Sequence, residues 1–124
     1  MPLGHAKLPV SDLAASRDFY CAALAPFGWR LVSDQAPTIG FGFGDGGEED
    51  EPIAFELMDV PIARCHIAFN ASSRREVDEF HAAAVAAGGT DHGAPGDRPY
   101  GRRYYAAFVL DPDGHNIEAV YKGP

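Results

Sequence analysis

Cys65-His66-Ile67-Ala68-Phe69-Asn70-Ala71 decides the fold, because it is the second copy of an earlier stretch, His5-Ala6-Lys7-Leu8-Pro9-Val10. In both, apolar and polar residues alternate, the period-two pattern of a strand with one apolar face. Ile67 and Phe69 share that face and His66 points away from it. Ala6, Leu8 and Val10 do the same, with His5 and Lys7 opposite. An offset of 61 residues carries His5 onto His66, Ser11 onto Ser72, Phe19 onto Phe80, Ala22 onto Ala83 and Gly28 onto Gly89. The chain is therefore a tandem of two similar halves, a property that governs every later inference about its fold.

Working outward, Ser11 or Asp12 can cap a helix whose apolar stripe is Leu13, Phe19/Tyr20 and Ala23/Leu24, ended by Pro26 and Gly28. Trp29–Val32 and Thr38–Phe43 read as strands, and Gly44–Glu51 as an acidic, glycine-rich solvated loop. In Ile53–Met58 the apolar Ile53, Phe55 and Leu57 face away from Glu56. The second half repeats the order. Ser73-Arg74-Arg75-Glu76 has capping-box spacing, and Val77, Phe80, Ala84 and Ala87 form a helical stripe that stops at Gly88-Gly89. A weak strand near Thr90–His92, a loop at Gly93–Gly96, a strong strand at Tyr104–Leu110, a turn at Asp111–Gly114 and a last strand at Asn116–Tyr121 complete it. Each half reads strand–helix–strand–strand–strand. The expected architecture is α+β: one domain over 1–124, built of βαβββ modules at 1–60 and 61–124, with helices on the outer face of curved mixed sheets that enclose a cleft.

Composition narrows the function. The 124 residues suffice for one core, and 46% hydrophobic with 23% charged residues is the balance of a soluble globular chain. A net charge of −8 argues against a nucleic-acid partner. No apolar run approaches the ~20 residues that span a bilayer, so no membrane partner is expected. The N-terminus lacks the pattern of a signal peptide, and two cysteines, Cys21 and Cys65, are too few for a disulfide framework. A cytoplasmic location is the expectation. Both cysteines are read as small buried hydrophobes.

The chemistry lies in two His…Glu pairs. His5 to Glu56 spans 51 residues and His66 to Glu118 spans 52. All four side chains fall on the strand face opposite the apolar one. Imidazole and carboxylate together suit one divalent ion, Ni, Zn, Co, Mn or Fe. Four such ligands leave an octahedral ion two open positions, as catalysis requires. Taken singly, each residue has a plainer reading, as a frayed terminus, a locally bonded strand histidine or a solvated glutamate. The repeat-related placement favours the joint metal site. His81, His92 and His115 are read as surface residues. Arg98, Tyr100, Arg103 and Tyr105, with Arg102 and Tyr104 among them, form a candidate pocket for an anionic or planar ligand. A basic loop offsetting an acidic surface explains them equally well.

At these residues the chain resembles the vicinal oxygen chelate superfamily of glyoxalases, bleomycin-resistance proteins, extradiol dioxygenases and related epimerases. The resemblance spans the chain. It rests on Val10-Ser11-Asp12-Leu13 with Ser16 and Phe19-Tyr20, on His66-Ile67-Ala68-Phe69, and on Asp111-Pro112-Asp113-Gly114 followed by Ile117-Glu118. It implies paired βαβββ modules, pairing within a chain or exchanged between chains, often as a homodimer. It also implies metal ligands at His5, Glu56, His66 and Glu118. The expected function is a glyoxalase-like isomerase, epimerase or lyase acting through an enediolate on a small compound with vicinal oxygens. Glu118 would serve as general base, with Glu56 as the other catalytic carboxylate. The alternatives are a non-catalytic drug-binding protein of the bleomycin-resistance type, and an iron dioxygenase needing only His5, His66 and Glu118. Pro9 and Val60 stand where the bacterial glutathione-dependent enzyme tends to carry arginine and asparagine, which argues against a glutathione-linked substrate.

Overall fold

A computed structural model of the protein describes residues 5–43 and 53–123. The N-terminal Met1–Gly4 segment and the loop expected at Gly44–Glu51 lie outside them. The first module comprises β1 (Ala6–Val10), α1 (Leu13–Leu24), a 3₁₀ turn at Ala25–Phe27, β2 (Trp29–Gln35), β3 (Thr38–Phe43) and β4 (Phe55–Asp59). The second comprises β5 (His66–Asn70), α2 (Arg74–Ala86), β6 (Thr90–Asp97), β7 (Tyr105–Leu110) and β8 (Asn116–Tyr121). Each forms a four-stranded mixed sheet, ordered β1-β4-β3-β2 and β5-β8-β7-β6. In both, the first and last strands of the module run parallel and the rest antiparallel.

The helices form where the caps dictate. The Asp12 carboxylate accepts from the Ala15 N–H, leaving Ser11 for another contact. Ser73 accepts from the Glu76 N–H at 3.1 Å, and the Glu76 carboxylate accepts from the Ser72 N–H at 2.8 Å. The buried stripe of α1 is Ser16, Phe19, Tyr20, Ala23 and Leu24, and that of α2 is Val77, Phe80 and Ala84. The helices pack on their own sheets and on each other, so both modules share one core. Phe69 lies between Phe27, Trp29 and Phe55, which stack or meet it edge-on across the module boundary. Gly89 permits the closure of α2: a Cβ there would meet Val109 Cγ1 at 2.5 Å and Phe19 Cε1 at 2.7 Å.

Two local expectations are corrected. Gly93–Gly96 is strand, not loop: β6 runs on to Asp97. Its pairing with β7 shifts register on both sides of Gly93, and Pro95 is tolerated because β6 is an edge strand. Cys21 is exposed rather than buried, because it falls off the α1 stripe. Among the described residues no helix is long and apolar enough to cross a membrane.

Candidate metal half-site and the module latch

β8 is an interior strand, flanked by β5 and β7. Glu118 at its middle is consequently 2% exposed, although it lies opposite the apolar Ile117 and Ala119. The carboxylate has two partners. Oε1 lies 3.0 Å from His66 Nε2, and Oε2 accepts from the Tyr104 hydroxyl. His66 Nδ1 lies 2.9 Å from the Asn116 carbonyl, which can only accept, so the Nδ1 proton is committed there. That bond fixes the ring orientation and directs Nε2 toward Glu118. The imidazole is stacked on Phe108, and the His66 side chain remains 50% exposed. A buried carboxylate beneath a half-open imidazole, with its far nitrogen bonded to a carbonyl, could offer an imidazole nitrogen and a carboxylate oxygen to a divalent ion.

Burial and the bond to Glu118 push the Tyr104 phenol up to about 12. Its ionisation, measured as the ultraviolet difference between wild type and Tyr104→Phe, is expected near that value. In Glu118→Gln it should move down toward the ordinary 10.0 without reaching it, because burial, the largest cause, remains. The sign follows: a phenol whose ionisation is raised by folding contributes stability below pH ~10, lost as pH climbs toward ~12. An unchanged midpoint in Glu118→Gln would remove Glu118 as the phenol's partner.

The first module holds the related pair differently. Glu56 sits on β4 opposite Lys7 on β1, and Lys7 Nζ lies 3.2 Å from its carboxylate. Ala68 occupies the corresponding position opposite Glu118. His5 is exposed, one residue ahead of β1. The chain thus unites His66 with Glu118. Among the described residues, His5, Glu56, His66 and Glu118 do not form a close cluster within one chain; the group that does is Asp111, Asp113 and His115.

That group has another occupation. The Cys65 N–H donates to His115 Nδ1 at 2.9 Å, so the proton resides on Nε2, which donates to the Pro9 carbonyl at 2.6 Å. His115 is 0% exposed, which corrects its reading as a surface residue. Asp111 accepts from the N–H groups of Asp113 and His115 and, at 2.7 Å, from the Tyr20 hydroxyl. Burial, then Asp111, holds the Tyr20 phenol well above its usual range. Asp113 accepts from Ser11 through its N–H and its hydroxyl. Both imidazole nitrogens are committed, and the turn bonds Pro9, Ser11 and Tyr20 of the other module. It is a latch between the halves. The sequence showed the turn; the partners come from elements about a hundred residues away and left no local signal. His81, also read as surface, is part-buried against Asp91 at 2.9 Å.

The pocket candidates divide. Tyr100 and Arg103 line a cavity of ≈ 520 Å³ with Gly101, Arg102, Tyr104 and Lys122. Tyr105 and Arg103 line a neighbouring one of ≈ 590 Å³. Arg98 lines neither: it donates to the Ala94 carbonyl and lies over the Phe108 ring. The sequence offers Tyr104 as a pocket candidate but not as the partner of Glu118, and it gives no signal for Lys7 as partner of Glu56 or for Lys122.

The profile of the Glyoxalase/Bleomycin resistance protein/Dioxygenase superfamily matches residues 3–119. A glyoxalase/bleomycin resistance protein from Albidiferax ferrireducens is 27% identical, with TM-score 0.79 over 99% of this chain and 100% of that one. A glyoxalase-related enzyme from Fulvimarina pelagi is 26% identical, with TM-score 0.71 over 94% and 84%. A lactoylglutathione lyase from Agrobacterium tumefaciens, at 22% identity and TM-score 0.65 over 94% and 90%, shares the fold. No functionally curated protein matches significantly.

Proposed function

The chain belongs to the Glyoxalase/Bleomycin resistance protein/Dioxygenase superfamily, and we propose that it is a glyoxalase-like metal-dependent isomerase, epimerase or lyase. The observation that carries this is the His66–Glu118 pair, with Nδ1 of His66 bonded to the Asn116 carbonyl and Nε2 3.0 Å from a buried carboxylate. A divalent ion held there would supply Lewis acidity toward vicinal oxygens of a small carbonyl or hydroxy compound. His66 and Glu118 would be its ligands from the second module, His5 and Glu56 from the first. Glu118 is the base that takes a proton from carbon beside the carbonyl, a role that typically contributes ~10²–10⁴-fold. Tyr104 positions Glu118 by holding Oε2, which leaves Oε1 to act. Burial of the carboxylate keeps competing water away. A similar structure bearing the name lactoylglutathione lyase accords with this chemistry, while Pro9 and Val60 argue against a glutathione-linked substrate.

The complete ligand set is assembled between two chains. Each protomer would offer its His5 and Glu56 to the partner's second module, in a closed two-fold dimer. Complementation tests this. A mixture of Glu56→Gln and Glu118→Gln chains, dissociated and reassembled, should recover about a quarter of wild-type metal sites and turnover, because half the dimers are mixed and each mixed dimer holds one intact site of two. Sites built within one chain would recover nothing. Sedimentation showing only monomer would also sink the dimer. A protein that takes up no metal but retains small molecules would instead be of the drug-binding type.

A further inference from the structure

The chain carries 18 acidic residues against 10 basic ones. Yet five of those ten, Arg74, Arg75, Arg102, Arg103 and Lys122, line the two adjoining cavities, which share Arg103 and Tyr104. Among the described residues no Asp or Glu lines either cavity. In the second, Arg74 is committed to Asp97 at 3.2 Å and Arg75 to Glu79 at 2.8 Å. The first gathers Arg102, Arg103 and Lys122 against two tyrosines, with Lys122 Nζ 5.9 Å from the Tyr104 ring centre and the Tyr100 ring edge-on to it at 5.4 Å. Its volume of ≈ 520 Å³ suits a small ligand. Gly123, at φ +77°, leaves Arg103 its place: a Cβ there would meet the arginine Cδ at 2.8 Å.

Tyr104 joins this cavity to the chemistry. Its ring forms the wall and its hydroxyl bonds Glu118. Lys122 follows Glu118 by four residues, one past the end of β8, and both side chains meet Tyr104. The rise of an extended strand puts their backbones about 13 Å apart, within the reach of both side chains across a small molecule.

We infer that this cavity is an anion subsite, which holds a carboxylate or phosphate group of the substrate while the rest of the molecule reaches Glu118. The inference rests on the reading of Glu118 above for its functional meaning, and on the cavity alone for binding. Clustered cations raise the local potential and attract an anion. Arginine forks match carboxylate and phosphate alike, and the tyrosines offer a face to a planar body.

Calorimetry on metal-free protein at low ionic strength would test it, with benzoate, phenyl phosphate and the neutral benzamide as probes. At least one anion should bind roughly tenfold or more tighter than benzamide. The tighter of the two names the anionic group. Arg102→Gln combined with Lys122→Met, both exposed positions, should lose roughly that factor while the unfolding midpoint stays unchanged. Anion affinities no better than that of benzamide, no binding at all, or full binding by the double variant would each overturn the subsite. A parallel metal titration separates the two readings. Metal uptake without anion preference defeats the subsite alone, and anion preference without metal uptake defeats the metal enzyme alone.

Discussion

Glu118→Gln is expected to weaken divalent-metal binding by about a hundredfold or more and to abolish turnover, with the fold intact. The structure isolates the effect. Glutamine keeps the shape of a side chain that is 2% exposed. Its amide oxygen can still accept from Tyr104, and its amide nitrogen can donate to the Nε2 lone pair of His66, whose Nδ1 proton is committed to the Asn116 carbonyl. What is lost is the negative charge and the proton acceptor. Glu56→Gln should lower metal affinity as well, and the loss should leave β1 and β4 paired, since Leu8 and Leu57 bury the opposite face. Titrating metal into both variants discriminates among relatives. A drug-binding protein shows no metal effect in either, and an iron dioxygenase shows one in Glu118→Gln alone. Wild-type metal affinity in Glu118→Gln would end the metal-site assignment of the His66–Glu118 pair.

The second large effect concerns the latch. Asp111→Ala should destabilise the protein by about 3 kcal/mol, because it leaves a buried tyrosine hydroxyl and two turn N–H groups without their acceptor. For a chain of this size that lowers the unfolding midpoint by roughly 10 °C. His115→Leu should cost a similar amount, about 3 kcal/mol, since it strands the Cys65 N–H and the Pro9 carbonyl. Ser11→Ala, at an exposed position, should cost at most about 1 kcal/mol. A double-mutant cycle gives the sharper reading. Tyr20→Phe added to Asp111→Ala should cost little more, because the bond it removes is already gone. Additive losses, or a metal-binding phenotype in Asp111→Ala with unchanged stability, would contradict the latch and restore this cluster as a candidate metal site.

Sequence alone determined what depends on periodicity and local capping. The offset repeat predicted the two βαβββ modules, and the stripes Phe19/Tyr20/Ala23/Leu24 and Val77/Phe80/Ala84 are the buried faces of α1 and α2. Strand alternation placed His66 and Glu118 opposite the apolar side, where they meet at 3.0 Å. These features are carried by neighbours in the chain, so a pattern of period two or 3.6 reveals them.

Tertiary structure decided what depends on pairing partners distant in sequence. Glu118 is buried because β8 became an interior strand, which its own residues do not announce. Lys7 found Glu56 through sheet register, and Tyr104 reached Glu118 from one residue ahead of β7. Gly93–Gly96 has the composition of a loop, but the hydrogen bonds of β7 recruited it as an edge strand. His115 looked like a turn histidine, and only the pairing of β8 with β5, which brought Cys65, and the docking of the first module, which brought Pro9, removed it from water. Residue types and spacings specify which groups can do chemistry. The free energy of packing two half-domains together selects which of them are buried, bonded and held in place.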